Sequence, residues 1–104
     1  MAEQIIPKER RITKYGDLII EVAWKVPKSK DKPEGVDYSF QLIHKGKRVV
    51  GVDNCTGEGH HFHFFSKKEN CEFKSLFKTR ILFYELVRLF EEIEYEIKKT
   101  KNKD

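Results

Sequence analysis

Hydrophobic and polar positions alternate with a period of two through the first half of the chain, then switch to three- and four-residue spacing after Ser75. From Leu18 to Val26 the even positions Leu18, Ile20, Val22, Trp24 and Val26 are apolar. They stand against Asp17, Glu21 and Lys25, with Ile19 and Ala23 breaking the rule. A period of two marks a strand with one face on a core, so the even face is expected to be buried. Val36, Tyr38, Phe40 and Leu42 repeat the pattern against Asp37, Ser39 and Gln41. Between them, Pro27 to Gly35 carries two prolines and several charges and cannot continue a ladder.

Lys45-Gly46-Lys47 reads as a tight hairpin turn, because Gly46 takes positive φ without steric cost. The strand after it, about Arg48 to Asn54, should return antiparallel. Cys55 to Gly59 is a loop with two glycines, and His60 to Phe65 is aromatic and strand-like. Ser66 to Asn70 reads as a polar turn and Cys71 to Phe73 as a short returning strand. Arg10 to Tyr15 adds an edge strand that turns at Gly16.

From Ser75 to about Lys99 there is neither Pro nor Gly, and helix formers dominate. Ser75 is a suitable N-cap. Leu76, Phe83, Leu86, Val87, Phe90, Ile93 and Ile97 line one face, which Leu82 and Leu89 widen. Some 25 helical residues would run ~37 Å, longer than a small sheet is wide, so the helix is also expected to pack on a partner, as in a homodimer. The pattern therefore predicts an α+β fold. One antiparallel sheet of four to six strands (about 9–73) is covered by one long C-terminal helix (about 75–99), with a disordered basic tail at 100–104. The faces of Leu18–Val26 and Val36–Leu42 should bury against Phe83, Leu86, Phe90 and Ile93.

Composition narrows the class. The 104 residues suit a single domain, and eight Phe, four Tyr and one Trp argue against disorder. No apolar run reaches the length of a membrane helix and no signal-peptide pattern opens the chain, so no membrane role is expected and the expected compartment is the cytoplasm. A net charge of +4 favours an anionic partner only weakly. Two cysteines, Cys55 and Cys71, make no disulfide framework.

Candidate chemistry gathers between Asp53 and His63, where three of the four histidines fall. In a strand, His61 and His63 share one face ~7 Å apart, and His60 points the other way with Phe62 and Phe64. Such a pair can ligate a metal such as zinc, with Asp53, Cys55, Glu58 or Cys71 to complete the shell, although the spacing matches no standard zinc motif. It can also act without metal or other cofactor on RNA. One imidazole then removes the 2′-hydroxyl proton and the other protonates the leaving 5′-oxygen. That reaction needs a nearby cation, for which Arg48 and Lys47 on the adjacent strand are candidates, with Arg80 a weaker one. His61 and His63 are expected to be exposed, His60 to serve either face, and Arg48, Asn54 and His60 to bind substrate. A third reading is a non-catalytic module that binds protein or nucleic acid.

Val52-Asp53-Asn54, Gly59-His60-His61-Phe62-His63 and Glu72-Phe73-Lys74-Ser75-Leu76, in this order before a terminal helix, resemble the TumE-like family. The likeness runs from about Tyr38 to Ile97. It implies a toxin of a prokaryotic toxin–antitoxin pair, with a helix-turn-helix antitoxin as partner, and maps the family's polar residues onto Asp53, Asn54, His61 and His63. Relatives often carry an Arg and an aromatic before the Asp-Asn pair; here Gly51 and Val52 stand there, so the resemblance implies that Arg48 or another cation takes the Arg's place, or that activity is weakened. In the ribonuclease reading His61 and His63 exchange base and acid roles. Asp53 then orients an imidazole, and Asn54 and Arg48 hold the phosphate or the loop.

Overall fold

The computed structural model describes residues 3–97. Six strands come first: β1 (Glu3–Ile12), β2 (Leu18–Lys25), β3 (Val36–His44), β4 (Lys47–Asp53), β5 (His61–Phe64) and β6 (Lys67–Asn70). Each pairs antiparallel with the next, so the sheet order is the chain order. Helix α1 (Leu76–Glu91) follows and continues as a π-helical stretch, Glu92–Ile97. The expected α+β class, antiparallel sheet and C-terminal helix are all present. The expected basic tail at 100–104 and the last turn of the helix lie outside the described residues. Among the described residues no helix is long and apolar enough to cross a membrane.

The turns explain the sheet's regularity. Lys45 (φ 50°) and Gly46 (φ 77°) both take positive φ. That is the two-residue hairpin geometry whose twist matches the strands it joins. Ser75 caps α1, its hydroxyl accepting from the Lys78 amide at 3.1 Å.

Three expectations are corrected. The first strand is not Arg10–Tyr15 but Glu3–Ile12, and Thr13 to Gly16 form the turn. Pro7 sits inside it, tolerated because β1 is an edge strand whose register shifts between Ile6 and Glu9, the interval that holds Pro7. At the other edge, the polar run Lys67–Asn70 is strand β6, and Cys71–Phe73 is not. A two-residue turn at Phe65-Ser66 suffices, and a short, charged, fully exposed strand suits an unprotected sheet edge.

The third correction concerns β2. Its helix-facing residues are Ile19, Glu21 and Ala23, all buried, and not Leu18, Ile20, Val22 and Trp24. Polar side chains from the C-terminal segment meet the acids on that face. Glu21 accepts from Arg80 Nη2 at 2.8 Å and Tyr84 Oη at 2.5 Å, and Asp17 accepts from Tyr95 Oη at 2.6 Å. His44 Nδ1 lies 2.7 Å from Asp17 as well. A buried charge is tolerable when paired and hydrogen-bonded in this way.

β3 behaves as its alternation predicts. Tyr38, Phe40 and Leu42 join Ile19, Ala23, Val50 and Val52 in a core closed by Phe83, Val87 and Phe90 of α1. Of the other expected helix contacts, Leu86 is half-buried against this core. Ile93 is half-buried without joining it, and Ile97 is half exposed. The helix covers one face of the sheet, and the opposite face carries the chemistry.

Candidate functional site on the open sheet face

Register places the candidate residues in two rows. Ser39, Asp53, His61 and Asn70 stand opposite one another across β3 to β6; Gln41, Gly51, His63 and Lys68 form the next row. Residues directly opposite share a face. Because Phe40, Val52 and Phe62 in the intervening row pack in or against the core, both rows look away from α1.

His61 is held at both nitrogens. Nδ1 lies 3.0 Å from the Gly59 carbonyl, and Nε2 lies 2.9 Å from Asp53 Oδ1. A carbonyl and a carboxylate only accept, so the doubly protonated ring satisfies both contacts. His61 is 2% exposed, which overturns the expectation that both rings face solvent. The Gly59 loop and Asp53 enclose it.

His63 is half-buried and differently bound. Its ring stands edge-on to His61, centroids 5.0 Å apart and planes at 82°. Its Nδ1 lies 3.1 Å from Arg48 Nη2. Guanidinium only donates, so Nδ1 offers its lone pair, and the neutral ring carries its proton on Nε2. Partial burial lowers the His63 pKa below the ordinary histidine value; Arg48 and then His61 push the same way, and Asp53 opposes them. The two rings thus sit side by side in unequal surroundings.

Gly51 stands directly across the ladder from His63. A Cβ there would stand 2.6 Å from Gln41 Oε1 and 3.0 Å from Arg48 Cδ. The missing side chain is what lets Arg48 fold across to His63. Gln41, which the alternation left as an ordinary polar neighbour, donates from Nε2 to Ser39 Oγ at 2.9 Å and towards Asp53 Oδ2 at 3.4 Å. Its Oε1 is the one buried side-chain polar atom without a hydrogen bond among the described residues. Asp53, His61 and His63 each bring a potential ligand atom within 4.8 Å of the others. Of the candidate third ligands, Asp53 is the one in this group; Cys55 is exposed and contributes its backbone amide to Asp53 Oδ1 at 3.2 Å.

The family model described as Toxin TumE matches residues 2–99. The chain belongs to the TumE toxin family. No curated protein and no solved structure gives a significant match.

Two of the residues expected to bind substrate, Asn54 and His60, point away from the His61–His63 cluster. Asn54 is 3% exposed; its Oδ1 accepts from the Tyr38 amide at 3.0 Å and its Nδ2 donates to the Val36 carbonyl at 2.8 Å. It therefore fastens the loop to the start of β3. His60 is stacked on Phe73, ring centroids 4.6 Å apart. Its Nδ1 lies 2.8 Å from Tyr38 Oη and its Nε2 2.9 Å from Glu34. It faces a cavity of about 490 Å³ lined also by Lys30, Asp31, Pro33 and Gly57, apart from the His61–His63 face. Arg80, bound to Glu21, stands on the helix side. Arg48 instead borders a hollow of about 380 Å³ with Lys47, Val49, Phe65 and Ser66. Burial pushes the Cys71 thiol up, and the Asp53 charge adds to it, so Cys71 is a protonated thiol and no activated nucleophile.

Proposed function

We propose that this toxin cleaves RNA without a metal, and that His63 is the group that meets the substrate. The observation that carries the reading is the Arg48–His63 contact, a neutral imidazole lone pair held beside a cation on an open face. In the resting site Arg48 caps Nδ1. A phosphate arriving at Arg48 draws the guanidinium to its own oxygens and frees that lone pair.

The 2′-hydroxyl then gives its proton to His63 Nδ1 while its oxygen bonds to phosphorus. The bond from phosphorus to the 5′-oxygen breaks, and that oxygen takes the proton back from the imidazolium. The products are a 2′,3′-cyclic phosphate and a 5′-hydroxyl. His61 and Asp53 act here as positioning residues, since His61 is buried and its two nitrogens are already bonded. The hollow beside Arg48 suits a nucleic acid, with Lys47 for phosphate and Phe65, 41% exposed, for stacking a base.

A toxin acting on its own cell's RNA needs a neutralising partner, and we assign a cognate antitoxin to the outer stripe of α1. Phe77, Ile81 and Leu89 are 74%, 42% and 43% exposed there. The homodimer expected from helix length would compete for the same stripe.

The chemistry is tested with an RNA cleaved by the wild-type chain and the same RNA carrying 2′-O-methyl at the cut position. Loss of that cut, with cyclic phosphate ends on the unmodified RNA, supports the reading. Cutting of the methylated position refutes it.

A further inference from the structure

We infer that the Asp53–His61–His63 cluster takes one divalent transition-metal ion of the zinc class, and that the ion switches the site off. The binding stands on the geometry alone; the inhibition rests on the ribonuclease reading.

The donor set is two imidazoles and a carboxylate, the facial set that first-row metals accept. Its atoms lie within 4.8 Å of one another, and Asp53 Oδ1 and His61 Nε2 are already 2.9 Å apart. Ligands about 2.1 Å from a tetrahedral zinc stand roughly 3.4 Å apart, so modest side-chain rotations close the set. The supporting contacts have the form metal sites use. The Gly59 carbonyl fixes the proton of His61 on Nδ1 and leaves Nε2 to bind, and Gln41 Nε2 reaches towards the far oxygen of Asp53. The ion takes the place of the Nε2 proton, which leaves to solvent.

Arg48 is the competitor. It occupies the His63 Nδ1 lone pair and holds a positive charge beside that nitrogen. A bound ion must displace Arg48 from His63, and Arg48 must therefore weaken metal binding. In the ribonuclease reading, the ion then holds the lone pair that would take the 2′-hydroxyl proton.

The test is a calorimetric titration of the chelator-treated, full-length protein with zinc chloride, repeated on His63→Ala, Arg48→Ala and Cys55→Ser. One ion per chain is expected. Affinity should fall at least tenfold in His63→Ala and rise about tenfold in Arg48→Ala, and Cys55→Ser should match wild type. His63 is half-buried, so its variant avoids the folding risk of truncating buried His61, and circular dichroism checks that fold. Failure of the wild type to bind overturns the site, as does binding that survives His63→Ala or disappears in Cys55→Ser. RNA cleavage with and without one equivalent of zinc separates the two claims. Zinc bound with no cleavage in either condition retires the nuclease and leaves the metal site standing. Cleavage that zinc stimulates overturns the switch.

Discussion

His61 Nε2 lies 2.9 Å from Asp53 Oδ1, directly across the β4–β5 ladder, with the His61 side chain 2% and the Asp53 side chain 13% exposed. A pair this enclosed is costly to break from one side, because the remaining charge is left without its partner. Asp53→Ala is expected to lower unfolding free energy by about 3 kcal/mol. Urea denaturation against wild type measures it, and a loss near zero would mean that the contact holds nothing.

His63 should titrate below an ordinary histidine. Its pKa is lowered first by partial burial and next by Arg48, so on acidification the ring stays neutral longer in the folded chain than in the unfolded one. The folded state therefore loses stability as pH falls from about 6.5 through the lowered value. Arg48→Ala removes one lowering influence, and the His63 midpoint should move up in pH without passing far beyond its ordinary value. Nitrogen-15 NMR of the ring reads both the midpoint and the proton on Nε2; a proton found on Nδ1 at neutral pH would contradict the Arg48 contact.

Gly51→Ala tests the position across the ladder from His63. The added Cβ meets the flexible ends of Gln41 and Arg48, not backbone, so the stability cost should be only about 1 kcal/mol. Gln41 must nevertheless shift and Arg48 give by a few tenths of an ångström, which loosens the Arg48 contact with His63. Loss of activity well beyond the small stability loss is expected, with the His63 midpoint shifting as in Arg48→Ala. Unchanged activity and an unchanged midpoint would show that the close approach at Gly51 is incidental.

Much of the architecture is legible in the sequence because turns and caps are written in single residues. Gly46 marks the β3–β4 hairpin, Ser75 the start of α1, and Tyr38, Phe40 and Leu42 the core face of β3. The facing of β2 is not legible. Glu21 and Asp17 read as solvent-facing until Arg80, Tyr84 and Tyr95, more than 50 residues away, arrive to bind them. The same limit hides part of the site. The spacing His61-x-His63 fixes a common face, but it carries no information about the Gly59 carbonyl and Asp53 that enclose one ring and not the other. Gln41 was visible only as one polar residue of an alternating strand. Its place beside Asp53 and Gly51 comes from the register of β3 with β4.

The helix-face acid gives a prediction with a definite sign. Burial raises the pKa of Glu21, but hydrogen bonds from Arg80 and Tyr84 outweigh it, and the net direction is down. Its contribution is therefore present above about 4.5 and lost as pH falls through the lowered value. Arg80→Met leaves the carboxylate buried with Tyr84 and should cost about 2 kcal/mol at neutral pH, less than a fully enclosed pair because Arg80 is 35% exposed. The Glu21 pKa then rises, so the stability gap between variant and wild type should narrow between pH 7 and pH 4. Denaturation curves across that range decide it, and a gap that widens would contradict the ion pair.

Cleavage of RNA by the purified chain in excess EDTA, wild type beside His63→Ala, tests the central claim most directly. The account predicts cuts by the wild type and at least a hundredfold slower cutting by the folded variant. Equal cutting by both, or no cutting by the wild type, would contradict it.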